Sequence, residues 1–328
     1  MVIIGDGGWG TALAVTLHGN GHRVRVWGPS SDYLDAVRAR RENTKFLPGV
    51  LLPDRVEWVA DRAEATDGAD VAVLAVPSRF FGGVVSSFAP HLASTPRIVS
   101  VTKGLDAAAH ERMTQVAGRL LNRRDVAALS GPSHAEEVAR GIPTAVVLGC
   151  GDPAAAAELQ AIFSAPAFRV YTSDDVTGVE LGGALKNVIA LAAGVSDGIG
   201  FGDNTKAALI TRGLAEITRI GCAVGAHPAT FAGLSGMGDL VVTCTSRHSR
   251  NRRVGERLGR GERIGDILAD MEQVAEGVWT CRAARALARE RNVAAPIIEE
   301  VCAVVHENKD PRQAVQSLLS REPRPERD

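Results

Sequence analysis

Two apolar rhythms share this chain, and they change over near its middle. Through residue 171, short strand-like runs recur at 1–4, 23–27, 70–76, 97–101, 126–129, 144–149 and 168–171, bounded by glycine, proline or polar clusters. Runs of this length predict strands, and the nearly unbroken apolar run at 70–76 predicts one buried on both faces of a parallel sheet. Helical periods fill the gaps at 11–17, at 135–139 and in the alanine-rich stretch ending near Ser164. From Asp174 onward strand signals fade, and long helical patterns run through Leu319. The pattern predicts an α/β chain: an N-terminal Rossmann-type domain over residues 1–180, then a mostly α-helical domain over 181–328.

One helical stretch, 179–194, breaks its own rule. It is apolar and small-residued apart from its first turn and from Lys186 and Asn187. A lysine in a helix leans back over the preceding turn, where Gly182 and Gly183 have no side chains, so the vacant volume predicts a non-protein ligand beside the ammonium. The plainer alternative is a lysine snorkelling from a helix packed through its glycines.

The first run leads directly into Gly5-Asp-Gly-Gly-Trp-Gly10 and a helix. Gly5 is expected to allow the tight turn, Gly7 the approach of a pyrophosphate and Gly10 the packing of helix on strand, with the helix N-terminus facing the anion. The second run at 23–27 completes the spacing of a dinucleotide-binding unit, which leaves a glycine-rich turn of some other α/β protein as the weaker reading. Because the first strand starts at residue 1, either its start frays or the natural start lies upstream. An acidic residue at the end of the second strand favours NAD and a basic one NADP. This chain has Gly28-Pro-Ser-Ser31 there, and Asp32, Arg38, Arg40 and Arg41 read as the solvated face of the next helix, so NAD and NADP both stay open.

Ligands of such sheets bind at the carboxyl ends of strands, which selects Pro77, Ser78 and Phe80, then Lys103 beside Gly104, then Gly131 and Ser133. His134, opening a helix, is expected to cap it or support the site rather than act as the acid. The glycine-rich segment 194–204 is expected to bend the chain near the site, and Arg212 and Glu216, four apart, to pair. Asp239 and Thr243, also four apart, either meet a ligand hydroxyl together or serve as cap and core. Ser246-Arg-His-Ser-Arg-Asn-Arg-Arg253 concentrates arginines in front of a helix, which predicts a phosphate site built from forked guanidinium donors and free amides, with Arg252 and Arg253 facing water. The short polar turn at 273–277 carries no demand of its own.

Composition narrows the partners. With 37 Lys+Arg against 38 Asp+Glu, the formal net charge is -1, so no general attraction to nucleic acid or anionic membrane is expected and any anion site must be local. The 5 cysteines are scattered without Cys-x-x-Cys spacing, which fits a reducing compartment and no metal site. No apolar run reads as a membrane span and no targeting pattern opens the chain, so a soluble cytoplasmic protein is expected. Residues 321–328 read as a disordered tail.

Taken in chain order, the strings Gly-x-Gly-x-Trp-Gly-Thr-Ala-Leu-Ala14, Thr-Lys-Gly104, Ser-Gly-Pro-Ser133, Leu-Gly-Gly-Ala-Leu-Lys-Asn-Val188, Ser-Asp-Gly-Ile-Gly-Phe-Gly202, Gly-Asp-Leu240, Thr-Cys-Thr245 and Ser-Arg-Asn-Arg-Arg253 resemble the bacterial NAD(P)-dependent glycerol-3-phosphate dehydrogenase family. The resemblance covers nearly the whole chain. It implies reversible hydride transfer between NAD(P)H and dihydroxyacetone phosphate, giving sn-glycerol 3-phosphate for glycerophospholipid synthesis. It also implies Lys186 as the acid/base, and Lys103, Gly131, Ser133, Asp239, Ser249, Arg250 and Asn251 as substrate contacts, the last three mainly for the phosphate. Gly8, Trp9, Lys103, Ala135, Arg250, Val274 and Glu276 would contact the cofactor beside Gly5, Gly7 and Gly10. A homodimer is the assembly to test for. Members often carry a basic residue where this chain has Pro29, a departure that weakens an NADP preference. Two other readings stay open: a β-hydroxy-acid dehydrogenase, which would want a carboxylate site in place of Arg250 and Asn251, and a dinucleotide-sensing regulator, which would lack the acid/base.

Overall fold

The computed structural model describes residues 1–323, 325 and 326. Eight strands, β1 (Val2–Ile4), β2 (Arg25–Trp27), β3 (Glu57–Val59), β4 (Val71–Leu74), β5 (Arg97–Ser100), β6 (Ala127–Ser130), β7 (Thr144–Gly149) and β8 (Phe168–Ser173), form one sheet in the order β3-β2-β1-β4-β5-β6-β7-β8. Neighbours run parallel except β6 and β7, which are antiparallel. Every run expected to be a strand is one, and β8 extends the sheet. The strand without a sequence signal is β3, three residues long with a glutamate at its start, paired to β2 at the edge.

Side chains alternate across a strand, so the apolar runs serve two layers. Ile3, Val73 and Val99 enter one core with Leu13 and Leu148, whereas Ile4, Leu74 and Ile98 enter another with Phe81 and Phe88. Helices therefore cover both faces, as the unbroken burial of β4 requires. The strand order reverses at β1, with β2 on one side and β4 on the other. Loops leaving β1 and β4 diverge there and open a crevice. Met1 pairs with the neighbouring strand, its amino group donating to the Arg23 carbonyl at 3.0 Å and its carbonyl accepting from the Arg25 amide at 3.1 Å.

The helical part is organised around one helix, Val176–Ile199, here the lysine helix. Asp175 caps it, accepting from the Gly178 amide at 2.8 Å while also accepting from the His227 amide at 2.9 Å and the Thr230 hydroxyl at 2.6 Å. From 178 to 194 every residue is buried. In length and composition this helix could cross a membrane, which the sequence reading did not anticipate, yet 94% of its apolar window is buried inside the protein. Its apolarity is that of a core helix packed on all sides: Leu185, Val188 and Leu191 share a cluster with Phe231, Leu240, Val254 and Ile298.

Glycines set how closely its neighbours approach. A Cβ on Gly194 would lie 2.0 Å from the Arg252 carbonyl oxygen, and one on Gly255 would lie 2.1 Å from that of Leu191, so the helix Arg250–Gly259 crosses backbone to backbone. This corrects the reading of segment 194–204. Gly194 and Gly198 are packing positions inside the lysine helix, and the chain turns only at Gly200 (φ 95) before the helix Asp203–Ala223. That turn is some 14 residues beyond Lys186, about 21 Å along the axis, and far from the site. Arg212 and Glu216 do not pair as expected. Buried Glu216 accepts instead from the amides of Ile297 (2.8 Å) and Ile298 (3.2 Å), and Arg212 donates to the Glu326 carbonyl at 3.0 Å. Of the tail read as disordered, residues 324, 327 and 328 lie outside the described residues.

Candidate active site

A cavity of about 200 Å³ opens in the crevice and is closed by the helical part. Gly7, Gly8 and Trp9 of the glycine loop line it, with Lys103, Ser133 and Ala135 from the sheet edge and Lys186, Ser249, Arg250, Asn251, Val274 and Glu276 from the helical side. Gly5, Gly10, Gly131 and Asp239 stand behind this surface.

The glycine loop divides its labour as its spacing predicts. Gly5 has φ +124, and a Cβ there would be 2.5 Å from the Ala75 carbonyl oxygen; on Gly10 it would be 2.2 Å from that of Gly5. Both belong to the turn and its packing. Gly7 is different: nothing lies within 4 Å of the place its Cβ would take. The helix Gly8–Gly19 begins there with Gly7 as its N-cap and no side-chain capping bond, which leaves its first amides free to donate. Among the described residues, buried Trp9 Nε1 and His134 Nε2 also lack partners. Free donors around an open glycine fit the diphosphate of a dinucleotide.

Behind the cavity two lysines share one carboxylate. Lys186 Nζ lies 2.6 Å from Asp239 Oδ1 and 2.6 Å from Thr243 Oγ1. Lys103 Nζ lies 2.7 Å from Asp239 Oδ2, 2.7 Å from the Gly131 carbonyl oxygen and 3.1 Å from Ser133 Oγ. An ammonium has three donors. Lys103 therefore spends all of its donors on protein, while Lys186 keeps one for the cavity. Burial drives the Lys186 pKa down to about 8; Lys103 pushes the same way and Asp239 opposes. Burial also pushes the Asp239 carboxyl up, but the two ammonium groups outweigh it and hold it below the ordinary aspartate range. His134 is lowered by burial and then by both lysines, which keeps its imidazole neutral near pH 7.

The space beside Gly182 and Gly183 is not left for a ligand. A Cβ on Gly182 would be 2.5 Å from the Ser235 carbonyl oxygen, and one on Gly183 would be 2.2 Å from Ser130 Oγ. Protein fills the volume. The consequence still concerns the site, because the π-helical turn Leu234–Gly238 that approaches Gly182 continues into the helix Asp239–Thr245 and so brings Asp239 to Lys186.

An amide chain ties the rest together. Asn187 Nδ2 donates to the Lys103 carbonyl oxygen at 3.1 Å, Asn251 Nδ2 donates to Asn187 Oδ1 at 3.0 Å, and the Gly277 amide donates to Asn251 Oδ1 at 2.8 Å. Ser249 caps the helix Arg250–Gly259, accepting from the Arg252 amide at 3.2 Å. Arg250 Nη1 donates to the Val274 carbonyl oxygen at 2.7 Å, and Glu276 accepts from the Ser78 amide at 2.9 Å and from the Ser78 hydroxyl.

Two family models account for most of the sequence: the NAD-dependent glycerol-3-phosphate dehydrogenase N-terminus over residues 1–156 and the C-terminus over residues 175–316. The chain belongs to the NAD-dependent glycerol-3-phosphate dehydrogenase family. It is 49% identical over 331 residues to a glycerol-3-phosphate dehydrogenase [NAD(P)+] of Geobacillus kaustophilus (strain HTA426), covering 100% of this chain and 96% of the relative. Likewise it is 49% identical to the Geobacter sulfurreducens protein of the same name, covering 99% and 98%. The glycerol-3-phosphate dehydrogenase structure from Coxiella burnetii matches with a TM-score of 0.94 at 39% identity, covering 98% of each chain.

In this dehydrogenase several side chains lie elsewhere than the sequence suggested. Of the arginine cluster only Arg250 lines the cavity; Arg247 is exposed, and Arg253 is exposed as expected. Arg252, expected in water, pairs with Asp197 and Glu256 at 3.1 Å each. Phe80 is 49% exposed and turned from the cavity, with the Arg79 guanidinium 4.6 Å from its ring centroid. His134 occupies the N-cap position without making a capping bond and tilts instead against His248, ring centroids 5.8 Å apart. Phe46 and Gln273 line the cavity from stretches that carry no motif. Cys150, Cys244, Cys281 and Cys302 are buried and free.

Proposed function

We propose that this chain catalyses the reversible reduction of dihydroxyacetone phosphate to sn-glycerol 3-phosphate with a nicotinamide dinucleotide, the product serving glycerophospholipid synthesis. The observation that carries the reading is the buried Lys186 ammonium, with one donor left over, facing a cavity bounded by the glycine loop on one side and Arg250 on the other. A nicotinamide dinucleotide held by Gly7, Gly8 and Trp9 would supply or accept the hydride at C2. Lys186 hands its free proton to the C2 oxygen as negative charge builds there and takes it back in reverse. Lys103, locked by Gly131, Ser133 and Asp239, adds fixed positive charge near that oxygen. Asp239 keeps Lys186 aimed and charged. Arg250, with the open amides of the helix that Ser249 caps and with Asn251 beside it, takes the phosphate and so aligns the reacting carbon. Gly5, Gly7, Gly8, Trp9, Gly10 and Ala135 hold the dinucleotide together with Val274 and Glu276.

The same reading divides the chain into a dinucleotide domain to residue 180 and a substrate domain from 181, and makes the protein a cytoplasmic homodimer, the latter to be checked by light scattering. A β-hydroxy-acid dehydrogenase would want a site for a single carboxylate in place of the Ser249, Arg250 and Asn251 group that lines this cavity. The direct test follows absorbance at 340 nm with NADH or NADPH and either dihydroxyacetone phosphate or unphosphorylated dihydroxyacetone. Rapid turnover confined to the phosphorylated ketone is expected; equal turnover of both, or none, would defeat the reading.

A further inference from the structure

Strand β2 ends at Trp27, and the glycine that follows has a carboxylate against its α-carbon. A Cβ built on Gly28 would lie 2.6 Å from Asp6 Oδ2 and 2.7 Å from Asp6 Cγ. Asp6 comes from the glycine loop, between Gly5 and Gly7, and reaches across to the end of the neighbouring strand. In dinucleotide-binding sheets that strand end selects the adenosine ribose: a carboxylate there accepts from a 2′-hydroxyl, and a cation there takes a 2′-phosphate. This chain has no acidic side chain of its own at 28–31, and the absence of a side chain on Gly28 is what admits Asp6.

The carboxylate is free to accept. Asp6 is half-buried, its backbone carbonyl receives Asn43 Nδ2 at 2.7 Å, and its carboxylate meets its own backbone amide but takes no hydrogen bond from any other of the described residues, which leaves lone pairs for a ligand. Cations nearby are engaged or displaced. Arg38 pairs with Asp35 and Arg41 with Asp54, while Pro29 follows Gly28 directly. Lys45 is the cation that bears on Asp6, and its ammonium sits 5.1 Å from the Phe46 ring centroid.

We propose that Asp6 is the specificity-determining residue for the adenosine ribose: its carboxylate accepts a hydrogen bond from a 2′-hydroxyl and repels a 2′-phosphate, so the enzyme selects NAD(H) over NADP(H). The proposal rests on the dinucleotide reading above and deepens it. Both nucleotides are titrated into the full chain without substrate, by isothermal calorimetry or tryptophan quenching. Wild type binds NADH more tightly than NADPH by about tenfold or more, and the ratio shrinks with added salt as a charge repulsion must. Asp6→Asn, of the same shape, tightens NADPH binding and brings the two within about threefold; Asp6→Ser does the same should the amide distort the loop. Equal or tighter binding of NADPH by wild type overturns the assignment, as does a variant that weakens both nucleotides alike. Binding of neither nucleotide overturns the dinucleotide reading along with it.

Discussion

Replacing Asp239 by asparagine tests the chemistry at its least visible point, since the residue need not touch substrate at all. The variant keeps the shape and removes the charge that lies between Lys103 and Lys186. Lys186 stands at about 8 with burial and Lys103 pulling it down and Asp239 holding it up. An opposite charge at this range is worth about 1–3 pKa units, so its loss takes Lys186 to roughly 5–7. At pH 7 the protonated fraction falls from about 90% to between about 1% and 50%. Ketone reduction needs the protonated amine, so kcat/KM at pH 7 drops roughly 2- to 100-fold and the alkaline limb of its profile moves to lower pH by the same 1–3 units. The assay is kcat/KM for dihydroxyacetone phosphate from pH 5 to 9, with Asp239→Glu as the charge-preserving comparison and circular dichroism to establish folding. A uniform loss at every pH, with the alkaline limb unmoved, would refute the electrostatic role and leave Asp239 a structural strut.

Three further outcomes are expected. Lys186→Ala lowers kcat about 10²- to 10⁴-fold while NADH affinity, read by calorimetry, stays near wild type; undiminished turnover would remove this lysine from the chemistry. Arg250→Ala raises KM for dihydroxyacetone phosphate about 10- to 100-fold and hardly alters unphosphorylated dihydroxyacetone; parallel changes would argue against a phosphate contact. Burial raises Glu216 from 4.5 to about 7 against the pull of the Ile297 and Ile298 amides. The folded state thus binds the proton more tightly, so this residue's contribution is fully present below about pH 4.5 and is lost as pH rises to about 7. Urea unfolding at pH 5 and pH 8 measures the fall, at most about 3 kcal/mol from this group, and Glu216→Gln flattens it; an unchanged slope in the variant would assign the dependence elsewhere.

The sheet was legible because its strands are short apolar runs punctuated by breakers, and because a glycine loop after the first of them fixes where a ligand sits. Strand β3 escaped since three residues beginning with Glu57 carry no periodicity. Lys186 was legible as an offence against its own helix. What held it was not: Asp239 is 53 residues from Lys186 and 136 from Lys103, and no local pattern encodes a carboxylate shared across such distances. Gly182 and Gly183 announced a close approach without saying of what, so space later filled by Ser235 and Ser130 read as space for a ligand. Arg252 was misjudged for a related reason. Its partner Asp197 lies on the lysine helix, and only the glycine-mediated crossing of the two helices brings them together.

These crossings join packing to chemistry. Gly277 is another of them: a Cβ there would lie 2.5 Å from the Asn187 carbonyl oxygen and 2.9 Å from Asn251 Oδ1. The chain of amides from the Lys103 carbonyl through Asn187 and Asn251 to the Gly277 amide therefore begins at the sheet edge, crosses the lysine helix and ends next to Glu276. Glu276 in turn grips Ser78, back on the sheet side. Each end of this loop of contacts is anchored in rigid backbone, so the two ammonium groups and the carboxylate between them are positioned by the folded protein before substrate arrives. Stabilising a developing alkoxide then requires little reorganisation, the condition under which fixed charge contributes most to lowering a barrier.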